Sequence, residues 1–189
     1  MRKDLAQVDL VELVQVEDIK IIIKHKNMHL VFYFLTFFSL MGCNQSKEKE
    51  IYLIQSGFKG KVNVIFNNAK GEPTKYENGV RIYEIPKDGI LLTQFKVQEG
   101  LIKRDYYYVD GSGKRNPLKI MTDSENTNDS EIGIFRDGTI GVYGDSNDKN
   151  SLTYQEFYVT DKNKLEGYFT DESINEFNKR VQVKTGYKF

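Results

Sequence analysis

Cys43 is the only cysteine in 189 residues, and it closes the sequence Leu40-Met41-Gly42-Cys43. That setting suits a thiol destined for acylation. A lipidation signal wants an aliphatic residue three positions before the cysteine and a small one directly before it. Leu40 and Gly42 comply, while Met41 is larger than the usual alanine or serine. The run Leu30 to Met41 has only Thr36 and Ser39 as polar members. It is too short for a membrane span, which takes about 20 apolar residues, and it has the length of a signal's apolar core. Lys20, Lys24 and Lys26 supply the cationic flank. Cys43 is therefore expected to become the lipidated first residue, with everything upstream removed. His25 and His29 would go with the leader. A chain without histidine or a free thiol has no Ser-His-Asp triad, no cysteine nucleophile and none of the usual zinc or copper sites.

Carboxylate, tyrosine, Ser/Lys and oxygen-ligand chemistry survive that cut. Glycoside hydrolysis needs two carboxylates in one cleft. Glu84 and Asp105, inside strand-like runs, are the nearest candidates, although strand carboxylates ordinarily face solvent. Asp110-Gly-Ser-Gly-Lys-Arg115 has the look of a phosphate loop. Tyr108 stands where the first glycine is needed and Arg115 where the hydroxyl is needed, so it reads as a hairpin turn. The stretches 123–129 and 145–150 are rich in Asp and Asn. Weak Ca²⁺ binding would suit such loops, yet neither has the spaced ligand pattern of a calcium loop. No metal site and no cofactor is expected.

Tyr106, Tyr107 and Tyr108 are consecutive. On a strand they alternate, so Tyr106 and Tyr108 share one face while Tyr107 shares the other with Val109. An uncovered face of this kind would offer rigid amphipathic area to an envelope protein or a glycan. The bland alternative is that both faces are covered and the hydroxyls are bonded at the rim.

The chain carries 27 basic and 27 acidic residues, and removing residues 1–42 takes five of each. Neutrality argues against nucleic-acid binding and against adsorption to anionic lipid by charge. Membrane contact is left to the lipid on Cys43. Asn44, rather than Asp, follows the cysteine, which favours an outer location where a cell has two membranes. Residues 1–27 hold five acidic residues where a signal should be basic; they read as an extension from a start placed too early, or as an amphipathic stripe of Leu5, Val8, Val11 and Leu13. Residues 28–42 are then the signal peptide, 43–50 a polar tether, and 51–189 one β-rich domain.

Within that domain the period is two. Val62, Val64 and Phe66 alternate with Lys61 and Asn63, and similar runs occupy 51–54, 80–85, 90–93, 105–109, 132–135, 139–143 and 152–159. Asn78-Gly79, Asp88-Gly89, Asp110-Gly111 and Asp137-Gly138 punctuate them; the three Asp-Gly pairs predict hairpins. The expected fold is a mainly β, antiparallel sandwich-like domain. One C-terminal helix is predicted from Thr170 or Asp171 to Gly186, with Ile174, Phe177 and Val181 on its apolar face, covering an open edge or end of the sheet.

Tyr52-Leu-Ile54, Gly57-Phe58-x-Gly60-x-Val62-x-Val64, Gly71-x-Pro73, Gly79-x-Arg81-x-Tyr83-x-Ile85-Pro86-x-Asp88-Gly89-Ile90-Leu91 and Tyr106-Tyr-Tyr-Val-Asp-Gly111 together resemble a bacterial family of uncharacterised lipoproteins, a domain of unknown function. The resemblance implies an exported, lipid-anchored single domain and supplies no catalytic residue. The turn at Gly71-Glu72-Pro73 is also similar to one in transthyretin-like sandwich domains. The reading that follows is a lipid-anchored envelope protein that binds without catalysing; its alternative is a carboxylate-dependent hydrolase acting on envelope glycans. Replacing Cys43→Ala should leave an uncleaved or mislocalised precursor without lipid label. A mature, membrane-bound variant with unchanged labelling would refute the lipidation.

Overall fold

The computed structural model describes residues 48–122, 129–145, 147–148 and 150–189. Cys43 and the leader lie outside the described residues, as does most of the 123–129 loop. The first strand, β1 (Glu48–Gln55), reaches three residues back into the run read as a tether. It is followed by β2 (Gly60–Ile65), β3 (Lys75–Glu77), β4 (Val80–Ile85), β5 (Ile90–Leu92), β6 (Ile102–Val109) and β7 (Arg115–Leu118). Next come β8 (Ile120–Met121), β9 (Gly133–Tyr143), β10 (Leu152–Thr160), a short helix α1 (Lys162–Leu165), a 3-10 turn (Glu166–Phe169) and α2 (Asp171–Thr185).

The strands make two five-stranded sheets: β3-β4-β1-β6-β7 in the first and β5-β2-β10-β9-β8 in the second. The expected mainly β sandwich with one long C-terminal helix is what the chain forms. Its pairing, however, is mixed rather than antiparallel. β4 and β6 both run parallel to β1, and β5 runs parallel to β2. After β1 the chain crosses to the second sheet for β2, returns for β3 and β4, crosses for β5 and returns for β6. The first return enters as β3, antiparallel to β4, and the β3–β4 hairpin turns β4 parallel to β1; the second return brings β6 in parallel directly. Parallel neighbours of this kind need a crossover instead of a tight turn between them.

Only some of the turn signals make hairpins. Asn78 (φ 51°) and Gly79 (φ 79°) form a two-residue turn between β3 and β4, both in the left-handed region that this turn type requires. Asp110 opens the β6–β7 hairpin, its Oδ1 accepting from the backbone N–H groups of Ser112 and Lys114. The other two Asp-Gly pairs behave differently. Asp88-Gly89 carries the chain from β4 to β5, which lie in different sheets. Asp137-Gly138 lies inside β9, where the flanking runs 133–135 and 139–143 both pair with β10 across a register irregularity. The glycine absorbs a bulge there, not a reversal.

Between the sheets, the alternate residues of each strand meet. Tyr52, Ile54, Tyr83, Ile85 and Tyr106 come from the first sheet; Val62, Val64, Phe66, Ile134, Phe157 and Val159 come from the second sheet and its margin. The predicted shared face of Val62, Val64 and Phe66 is thus the buried one. α2 begins and ends as its sequence indicates: Thr170 Oγ1 accepts from Ser173 N–H at 3.2 Å, and Gly186 (φ 72°) closes it by donating to Gln182 O. It covers the outer face of the second sheet, not an edge, with Phe177 and Val181 against Ile65, Ile90 and Tyr143. Phe66→Ala, which removes a ring set edge-on to Tyr83, should cost about 3–5 kcal/mol in urea unfolding. A loss below about 1 kcal/mol would mean that the ring is not sealed between the sheets.

Candidate functional site

The unusual feature of this core is a carboxylate. Glu50 belongs to β1 and shares the inward phase of Tyr52 and Ile54, so alternation carries it between the sheets, where it is 1% exposed. Tyr52 sits in register with Tyr83 on β4 and with Tyr106 on β6. Parallel in-register strands bring the three rings together: Tyr52 stacks on each neighbour at 4.8 Å, with interplanar angles of 19° and 21°. Phe157 from the opposite sheet presents its edge to Tyr52 and Tyr106.

The hydroxyls converge on the acid. Tyr52 donates to Glu50 Oε2 at 2.8 Å, Tyr83 donates to Oε1 at 3.1 Å, and Arg104 Nε donates to Oε2 at 3.1 Å. Arg104 is opposite Glu50 in the β1–β6 register, and its Nη1 lies 3.9 Å from Asp137 Oδ1. Tyr106 donates a very short bond to that same oxygen. Gly138 lets the strand approach, because a Cβ there would sit 3.0 Å from Arg104 Nη1. The Tyr52 hydroxyl also lies 2.8 Å from Gln155 Oε1. Its one proton goes to Glu50, and turning the Gln155 amide over lets Nε2, otherwise without a partner, donate to the hydroxyl.

This cluster holds protons tightly. Burial first, then the Glu50 carboxylate, pushes the Tyr52 hydroxyl well above the ordinary tyrosine range. Burial and then Asp137 do the same to Tyr106, and burial and Glu50 raise Tyr83. Tyrosinate formation is opposed on all three. The arrangement is a packed structural joint in which the hydroxyls of Tyr52, Tyr83 and Tyr106 and the Nε of Arg104 each donate to a carboxylate.

Two features face outward. On the outer side of the first sheet, Tyr107 stands between Leu53 and Pro117 of the neighbouring strands. Lys49–Asp105 and Lys75–Glu84 form ion pairs on the same side, each at 2.7 Å. Arg115 on β7 holds both carboxylate oxygens of Glu77 on β3. These strands are opposite edges of the sheet, so the sheet must coil strongly over its outer face. Among the described residues no helix covers this face. The second feature is a cleft of about 460 Å³ lined by Lys70, Glu72, Glu84, Pro86, Leu92 and Lys184, among others.

The residues singled out from sequence therefore separate. Tyr106 is 2% exposed within the core. Tyr108 also points inward, half-buried, donating to Phe58 O at 2.6 Å. Of the three tyrosines only Tyr107 looks out. Glu84 and Asp105 sit on different strands with β1 between them and are not brought together. Asp145 and Asp148 accept from the backbone N–H groups of Asn147 and Asn150, their own turns. Among the described residues no cluster of three metal-ligating side chains occurs. Glu50 and Arg104 are not singled out by the sequence reading, Tyr52 and Tyr83 stand there only as family motif residues, and Asp137 only as a turn; the available signal is phase, since Glu50 keeps step with Tyr52 and Arg104 with Tyr106.

These elements, from the start of β1 to the 3-10 turn, are the region matched by the Family of unknown function (DUF6843), residues 46–169. The chain belongs to that family, in line with the resemblance read from its motifs, and α2 lies beyond the matched region. No curated protein matches the chain. A crystal structure of a Bacillus anthracis protein described as "Putative Lipoprotein" shares the fold with a TM-score of 0.50 and 18% identity, covering 75% of this chain and 100% of that one.

The tyrosine cluster makes stability fall in alkali. Folded-state hydroxyls titrate above the unfolded value of about 10, so above that pH the unfolded chain binds fewer protons and unfolding is favoured. Urea unfolding should give constant stability up to about pH 10 and a decline beyond it, with a shallower decline in Tyr52→Phe. Equal slopes in the two proteins would show that Tyr52 titrates normally.

Proposed function

We propose that this chain is an exported, lipid-anchored module of the bacterial cell envelope that acts by binding, with its contact surface on the outer face of the first sheet around Tyr107. The observation that carries the reading is the division of labour in β6. Tyr106 and Tyr108 are committed to the core, while Tyr107 presents an aromatic ring on a concave face flanked by Leu53 and Pro117 and rimmed by ion pairs. Aromatic area on a rigid sheet suits recognition of a protein surface or a glycan, since it loses little conformational freedom on contact. The lipidation sequence at Cys43 supports membrane attachment, and the fold shared with a protein described as a lipoprotein supports it further.

For the hydrolase alternative, Glu72 and Glu84 are two carboxylates that line one cleft. Glu84 is already engaged by Lys75 at 2.7 Å, and the buried acid Glu50 is enclosed by its own donors. Binding is the reading that needs no rearrangement. Isothermal titration against purified cell-wall glycan, with photo-crosslinking in native envelopes, should identify the partner. Tyr107→Ala should weaken that binding by more than about 1 kcal/mol while changing stability by about 0.5 kcal/mol. Unchanged binding by a folded Tyr107→Ala protein would refute the assignment of this face.

A further inference from the structure

The sheet edges are treated unequally. β3 is three residues long and carries Lys75 and Glu77, and β7 contains Arg115 and Pro117. The free side of β5 is taken by the preceding chain, with Glu72 N–H donating to Leu92 O and Gln94 N–H to Glu72 O. β8 is two residues long. These are the usual ways of blunting an edge: brevity, charge, proline or a cover.

Among the described residues, β9 has none of them along its second half. It is eleven residues long, and β8 pairs only with its Ile134 and Phe135. From Thr139 to Tyr143 no described strand lies on the side away from β10. This stretch, Thr-Ile-Gly-Val-Tyr, has no charge and no proline, and Ile140 and Val142 are 49% and 40% exposed on one face of it. Gly141 does not weaken it, because the Tyr154 ring lies over that position; a Cβ there would meet the ring at 2.5 Å. An aromatic ring over a strand glycine keeps the strand regular.

We propose that this edge pairs with the same edge of a second copy of the chain, antiparallel across a two-fold axis, so that the two second sheets join into one. A two-fold contact is isologous, and a strand edge satisfies that symmetry by pairing with itself in antiparallel sense. The pairing satisfies backbone groups from both copies and brings Ile140 and Val142 of each against the other. Thr139–Tyr143 is uncharged, so no like charges come opposite one another within it, and a charged peptide would find no complementary side chain there. The formal net charge of zero leaves two copies without mutual repulsion.

Sedimentation velocity of the full chain in non-ionic detergent should show a dimer that grows with protein concentration. Hydrogen exchange should show the amides of Thr139–Tyr143 gaining protection as it forms. Ile140→Lys and Val142→Lys should lose the dimer and keep the unfolding midpoint, whereas Val183→Lys, at an exposed position on α2, should keep the dimer. A chain that stays monomeric throughout, a dimer that survives both edge substitutions, or edge amides whose protection does not change with concentration would each overturn the proposal. So would protection that appears only when another envelope protein is added.

Discussion

The Glu50 carboxylate, enclosed between the sheets, is the constraint on which the first sheet depends. An ionised acid taken out of water is costly, and the cost is offset only when charge and hydrogen bonds are restored in good geometry. Here the donors come from three strands: Tyr52 on β1, Tyr83 on β4 and Arg104 on β6. A slip of either neighbour by one residue would turn its donor to the outer face and leave the acid short of a partner. Register in hairpins is set by the turn, but β4-β1-β6 are parallel and have no shared turns. The buried acid and the three stacked rings perform that service instead.

The same device links the two sheets. Arg104 extends from Glu50 towards Asp137, and Tyr106 bonds to Asp137 as well, so β6 of the first sheet is tied to β9 of the second. Asp137 can occupy this position because the bulge in β9 turns it towards the first sheet beside the close approach permitted by Gly138. A dipeptide with the chemistry of a turn is used here as a joint. Gln155 continues the polar thread on β10, and Phe157 beside it supplies the apolar contact. Packing of this kind leaves the core little freedom, and the surfaces open to contact are the outward faces and edges. The outer side of the first sheet and the second half of β9 are two such places among the described residues, neither covered by a helix or strand, and the β9 edge is not blunted by charge or proline.

Much of this was legible in the residues alone. Period-two alternation marked Val62, Val64 and Phe66 as one face, and capping chemistry placed α2 between Thr170 and Gly186. The family's motif residues, among them Tyr52, Tyr83 and Tyr106, stood out before their contacts were known. Three features were not legible. Glu50 lies in a polar run of Lys and Glu, and such a run looks solvated unless its phase is compared with the strand that follows. Asp137-Gly138 has the composition of a hairpin, and composition does not say whether its flanks pair with each other or with a common third strand. Tyr106 to Tyr108 had to divide between two faces, but alternation is symmetric and does not say which face is covered.

The sequence by itself determined the class of the fold, the ends of its long helix and the apolar phase of its strands. These rest on interactions between residues a few positions apart, whose geometry the backbone dictates wherever the chain goes. Only the tertiary structure decided that the central strands run parallel, that α2 covers a face rather than an edge, that Glu50 is buried, and that Tyr107 alone of the three tyrosines looks outward. Each of these depends on which distant segment arrives on a given side, for example β6 meeting β1 some fifty residues later in the register Glu50–Arg104. That choice is made by the joint satisfaction of burial and hydrogen bonding across the assembled sheets, which no local pattern encodes.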